Sequence, residues 1–260
     1  MIAALLFDLD DTLVVEEPAA VAAFEATARA VSDHDVDVTR LAVDARARAR
    51  ELWYAAPTHP YCRSIGISSW EGLWCRFEGE APELRALRAW APRYRREAWG
   101  VALARQGVED PELAEDLGER FGVERRARHE VFADVEATLS ELGRSYRLAL
   151  VTNGASCLQR EKFEASGLVD RFDAVVVSGE LRSAKPDPSV YACALETLGA
   201  RPGDAVMVGD SLANDVDGPV AAGLRAIWLN RTGEPRPADR DDIVEIGGLD
   251  ELQAVLAATT

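Results

Sequence analysis

The chain has 260 residues, 48% hydrophobic and 28% charged, enough to bury a full core as one or two domains. Its net charge of −16 disfavours broad attraction to nucleic acid phosphates, so no nucleic acid polymer is expected as a partner. No stretch approaches the roughly 18 apolar residues of a membrane span, which argues against a membrane partner.

The first element is an apolar run, Ile2 to Phe7, that reads as a short buried strand and ends in three carboxylates, Asp8, Asp10 and Asp11. After Thr12 the pattern turns helical. Val21, Phe24, Ala28 and Val31 make one stripe; Leu41, Ala45, Arg48 and Leu52 predict a second helix started by Thr39. Ser68 and Glu71 form a capping box that predicts a third helix through Trp74 and Phe77. Pro82, Pro92 and Pro111 mark breaks or helix starts. From Arg147 onward short apolar runs alternate with helical patterns. Strands are predicted at Arg147–Val151, Ala174–Val177, Ala205–Val208 and Ala226–Leu229, with an edge strand at Ile243–Ile246. Helices are predicted near Leu158–Ser166, Ser189–Leu198 and Ala213–Ala222, with Asp250–Ala258 closing the chain after a surface loop at Arg231–Asp242. The expected fold is α/β: a doubly wound, Rossmann-like parallel sheet core over residues 1–14 and 134–260, with an inserted all-helical domain over 15–133.

The residues that could carry chemistry fall at strand ends. In an extended chain Asp8 and Asp10 point to one face, and their mutual repulsion calls for a cation or a shared proton. Thr152-Asn153-Gly154 follows the second strand, Lys185-Pro186-Asp187-Pro188 the third, and Gly209-Asp210 the fourth, with Asp215 five residues beyond Asp210. Lysine occurs only at 162 and 185, which makes Lys185 conspicuous. Ligands in such sheets bind at the carboxyl ends of the strands. This set of oxygen ligands, a hydroxyl, an ammonium and loop N–H groups suits a phosphoryl group plus Mg²⁺. Asp11 and Asp187 read as local turn or cap residues.

These four segments, in this order, resemble the haloacid dehalogenase-like hydrolase superfamily. Asp8-Leu9-Asp10-Asp11-Thr12 is similar to its first motif, Thr152 to its second, Lys185 to its third, and Gly209 through Asp215 to its fourth. The helical insertion resembles the superfamily's cap placed directly after the first motif. The resemblance implies a phosphatase in which Asp8 attacks phosphorus to form an aspartyl-phosphate. Asp10 is then the acid and base, which requires it to hold a proton when substrate binds. Mg²⁺ is held by Asp8, the Asp10 backbone carbonyl and Asp210, with Asp215 behind them. Thr152, the Asn153 N–H, the adjoining Gly154 and Lys185 hold the phosphoryl oxygens.

Three other functions share parts of this pattern. A phosphomutase keeps all four motifs. A haloacid dehalogenase shares the fold and the Asp8 nucleophile but has no need of Asp10, because halide leaves without a proton. A phospho-acceptor signalling module uses an Asp, a Thr and a Lys but has no large cap. The expected partner is a small phosphorylated metabolite, acted on by a monomer or homodimer. Cap specificity is read at Arg63, with His59 and Tyr61, in the loop before the capping box; an exposed Arg63 above an aromatic helical core is the plainer alternative. Cys62, Cys75, Cys157 and Cys193 show no C-x-x-C and no zinc spacing, so buried or idle thiols are expected. With no leader pattern at the N-terminus, the reducing cytoplasm is the expected location.

Overall fold

The computed structural model describes residues 2–31, 35–238 and 240–258. They gather into two units. One runs to Val15, resumes at Glu130–Asn153 and continues from Gln159; the other is Glu16–His129 together with Gly154–Leu158.

The first unit is built on a six-stranded, all-parallel sheet. Its strands are β1 (Ala4–Phe7), β2 (Arg147–Thr152), β3 (Ala174–Val177), β4 (Ala205–Gly209), β5 (Arg225–Leu229) and β6 (Val244–Ile246), in the order β3-β2-β1-β4-β5-β6. All four residues of β1 are fully buried. That is why they read as a continuous apolar run: a central parallel strand is covered on both faces. One face packs Leu5 and Phe7 with Leu148, Leu150, Val206 and Val208. The other packs Leu6, Val151 and Met207 against Val190, Tyr191 and Leu195. Leu5 and Leu6 thus serve opposite cores, as alternation along a strand requires. The expected helix over Ala213–Ala222 is instead a π-helical turn, Leu212–Asp217, followed by a short α-helix, Gly218–Ala221. Its first turn is capped by Ser211, whose hydroxyl accepts the Asn214 N–H.

The helical unit contains α1 (Glu17–Ala28), α2 (Val38–Ala55), α3 (His59–Ile65), α4 (Ser69–Gly72), α5 (Pro82–Ala104) and α6 (Pro111–Arg126). Three sequence expectations change here. The second helix starts at Val38 under an Asp37 cap, whose carboxylate takes the Arg40 N–H, so Thr39 lies inside it. Pro92 breaks nothing: it lies within the long α5. The capping box of Ser68 and Glu71 forms, but its helix ends at Gly72. Trp74 and Phe77 lie in the loop beyond, which turns at Phe77 through a left-handed φ of 51°. Arg95 and Arg126 fix that loop by donating to the Cys75 and Trp74 carbonyls, both at 2.8 Å. Aromatic rings fill the core: Phe24 lies against Phe121 and Trp99, and Trp53 against Tyr94. At the edge of this unit Glu16 forms a buried ion pair with Arg125 and accepts the Trp70 indole N–H.

Candidate active site

A parallel sheet of this order reverses direction between β1 and β4, and the strand ends splay there to leave a crevice. Asp8 is the first residue past β1, its N–H bonded to the Val208 carbonyl of β4 at 3.0 Å. Asp210 is the first residue past β4. Thr12 ties the two loops together: its hydroxyl accepts the Asp210 N–H at 3.2 Å and faces the Asp210 carboxylate at 3.4 Å.

Asp8, Asp210 and Asp215 each bring a carboxylate oxygen within 4.8 Å of the others. Lys185 is 4% exposed and sits 2.7 Å from both Asp8 and Asp215. Burial alone would strip its proton, but Asp215 and Asp8 outweigh that and hold the ammonium above its ordinary pKa. Burial, reinforced by Asp8 and Asp215, pushes the Asp210 carboxyl up to about 8. Burial likewise raises Asp215 to about 6, against the pull of Lys185. Three carboxylates against one ammonium leave a net charge of −2 when all are ionised. A hard divalent cation with oxygen ligands relieves that crowding, so the donor set fits Mg²⁺. Gly209 makes the approach of Asp215 possible: a Cβ there would stand 2.4 Å from the Asp215 carboxyl group.

Lys185 is placed by its backbone as well. The Asn153 side chain accepts the Lys185 N–H at 2.9 Å and donates to its carbonyl at 3.0 Å. Asn153 therefore serves as a clamp, a use its sequence position did not suggest. Thr152 is buried at the end of β2, its hydroxyl donating to Gln159 at 3.2 Å. Gly154 follows with a φ of 143°, a conformation that suits glycine.

Asp10 sits differently from Asp8. Lys162, 1% exposed, holds both of its carboxylate oxygens at 3.0 Å, and Gln159 donates to one at 3.2 Å. Lys162 and Gln159 are the site residues that sequence reasoning passed over. The signal was available: the chain's two lysines are the two ammonium groups of this site. The side chain of Asp10 is thus engaged by Lys162 and Gln159. Arg63 lies in the helical unit on α3 (not in a loop) and is exposed.

The Asp8 loop, Thr152, Lys185 and the Gly209–Asp215 segment therefore meet at the carboxyl end of the sheet, as the four motifs require. A profile of the haloacid dehalogenase-like hydrolase family matches residues 2–223. The chain belongs to the haloacid dehalogenase-like hydrolases. Among relatives of this hydrolase, a phosphoserine phosphatase of Thermus thermophilus is 39% identical over 249 residues, 95% of this chain and 96% of that protein. The N-acylneuraminate-9-phosphatase of Homo sapiens is 49% identical over 110 residues, 42% of this chain and 44% of that one. Among solved structures, the HAD hydrolase YfnB of Bacillus subtilis bound to magnesium superposes with a TM-score of 0.65. It is 22% identical and covers 98% of both chains, a likeness of fold.

Proposed function

We propose that this hydrolase is a Mg²⁺-dependent phosphatase that cleaves a small phosphorylated metabolite through an aspartyl-phosphate on Asp8. The observation that carries the reading is the Asp8, Asp210, Asp215 and Lys185 cluster at the reversal between β1 and β4. The naming of the full-length relative as a phosphatase favours it over the dehalogenase reading. Asp8, Asp210 and the Asp10 carbonyl would hold Mg²⁺, with Asp215 behind them. Bound there, the ion would neutralise charge on the phosphoryl oxygens.

The Asp8 carboxylate donates an electron pair to phosphorus, and the bond to the leaving oxygen breaks. Asp10 gives that oxygen its proton, then accepts one from the water that attacks the phosphorus of the aspartyl-phosphate. The Lys162 contact is the pairing of an ionised carboxylate. It suits the second role directly; for the first, Asp10 must take up a proton on one oxygen as the ester binds, while Lys162 keeps hold of the other. Lys185, held by Asn153, and the Thr152 hydroxyl face the transferred group, and positioning of this kind supplies most of the catalysis in phosphoryl transfer.

We assign the helical unit as a cap that selects substrate. A cavity of about 1240 Å³ within it is lined by Arg46, Arg50, His59, Arg63 and Trp70, among others. Arg46 is paired with Glu17 and lies over Trp70, whereas Arg63 has no carboxylate partner among the described residues. An anionic group on the substrate, such as the carboxylate of a phosphorylated amino or sugar acid, is the match for Arg63. Among the described residues no helix is long and apolar enough to cross a membrane, and a cytoplasmic monomer or homodimer is the form we assign. The test is a screen of phosphorylated metabolites with Mg²⁺, reading released phosphate. Carboxylate-bearing esters such as O-phosphoserine should lead; no release from any ester would refute the reading.

A further inference from the structure

The mechanism leaves two touching thiols unused. Cys75 and Cys157 are 82 residues apart in the chain, yet their sulfurs lie 3.8 Å from one another in the helical unit. We propose that Cys75 and Cys157 are a peroxide-sensitive pair that closes to an intramolecular disulfide and slows turnover. Cys75 is fully buried, whereas Cys157 is half-buried and open to a small oxidant. The loop beyond α4 is shaped around the pair. Phe77 sits in a left-handed conformation that is costly for a side chain of its size, and its N–H donates to the Cys75 sulfur at 3.3 Å. Donation from Cys75, and then the Glu78 and Phe77 N–H groups, bring the Cys157 thiol down to about 6 in spite of burial. Burial pushes Cys75 well above its usual value and Cys62 up to about 12, so within the touching pair the half-buried Cys157 is the nucleophile.

The chemistry balances with one peroxide. The Cys157 thiolate attacks a peroxide oxygen, the O–O bond breaks, and hydroxide leaves and is protonated to water; the sulfur is oxidised to a sulfenic acid. The Cys75 sulfur then attacks the Cys157 sulfur, the S–O bond breaks, and hydroxide leaves with the Cys75 proton as a second water. The sulfurs close to a bond of about 2.0 Å. Gly154–Leu158 belongs to the helical unit but is flanked on both sides by residues of the sheet unit, Asn153 and Gln159. The chain crosses between the units at four peptides, Val15–Glu16, His129–Glu130, Asn153–Gly154 and Leu158–Gln159, the last inside the Ser156–Ala165 helix; the bond ties the segment between the last two covalently to the helical unit and so stiffens those two crossings. The slowed turnover, though not the bond, rests on the phosphatase reading above.

The test treats the full-length protein with hydrogen peroxide, digests it with trypsin and reads the peptides by mass. Cys75 falls alone in residues 64–76 and Cys157 alone in residues 148–160. Expected are those two peptides joined with the loss of two hydrogens, and a drop in kcat, both reversed by dithiothreitol. Cys75→Ser should keep untreated activity, show no joined peptide, and carry a dimedone adduct on Cys157 after peroxide. Joined peptides absent from the wild type, or adducts on Cys62 or Cys193 ahead of Cys157, would overturn the pair. Joined peptides with unchanged kcat would overturn its control of turnover. Peptide mass reads the bond even from a preparation without phosphatase activity, so failure of one reading is distinguishable from failure of the other.

Discussion

Lys162→Met tests how Asp10 is held. The methionine fills much of the lysine's volume and removes the ammonium that contacts both Asp10 oxygens at 3.0 Å. Breaking a fully buried ion pair costs about 3–5 kcal/mol. The Asp10 side chain is 23% exposed, so water recovers part of that. We expect a loss of about 2–3 kcal/mol, or roughly 5–10 °C in Tm by the usual scaling for a chain of this size. The kinetic signature is more specific. General acid catalysis is worth about 10²–10⁴-fold when the leaving group is a poor one. An Asp10 no longer held should therefore lose about 10²-fold in kcat/KM, which reports the first displacement, on an alkyl phosphate such as O-phosphoserine. On p-nitrophenyl phosphate, whose leaving group departs without a proton, kcat/KM reports only that first displacement and should fall by less than about fivefold. Steady-state kinetics of both substrates at one pH decide the matter. Equal losses on the two would mean that Lys162 supports the fold and not the acid.

Gly209→Ala places a Cβ 2.4 Å from the Asp215 carboxyl group, so Asp215 must leave Lys185. Metal affinity should fall about 10–100-fold, read by titrating activity with Mg²⁺, and an unchanged midpoint would count against Asp215 as support for the metal site. Arg63→Ala should raise KM for a carboxylate-bearing ester and spare p-nitrophenyl phosphate; equal effects, or none, would make Arg63 a surface residue. Without metal, the raised Asp210 and Asp215 carboxyls mean that the folded state binds more protons than the unfolded one between about pH 4 and 8. Their contribution to stability is present below that window and is lost as pH rises through it. The metal-free protein should therefore melt lower at pH 8.5 than at pH 5.5, and Mg²⁺ should raise Tm more at pH 8.5. A Mg²⁺ effect that is the same at both pH values would contradict the crowding of carboxylates.

The sheet was legible because a strand covered on both faces leaves an uninterrupted apolar run. β3 matches its expected limits, and the other strands differ by two residues or fewer at an end. The helical unit was harder to read because its helices answer to tertiary contacts. Trp74 and Phe77 keep helical spacing, yet the chain turns away at Gly72, whose missing Cβ admits the Trp53 ring at 2.2 Å from where that atom would be. Pro92 sits mid-helix, where position alone had suggested a break. At the site, residues in short motifs could be read and residues brought in from elsewhere could not. Lys162 lies on an ordinary amphipathic stretch, and its partner Asp10 is 152 residues away. Nor does local sequence tell that the Asn153 side chain would clamp the Lys185 backbone, since that needs the loops after β2 and β3 side by side.

The central claim is a phosphoryl group carried on Asp8, and Asp10→Asn offers the most direct view of it. With p-nitrophenyl phosphate and Mg²⁺ the first displacement needs no acid, whereas the second has lost its base. The variant should then accumulate phosphoenzyme. Rapid acid quench and peptide mass analysis should find one added phosphoryl group on the N-terminal peptide that contains Asp8, absent when Asp8→Asn is added. An unmodified Asp8 in a variant that still releases p-nitrophenol in a burst, or wild-type turnover by Asp8→Asn alone, would contradict the account.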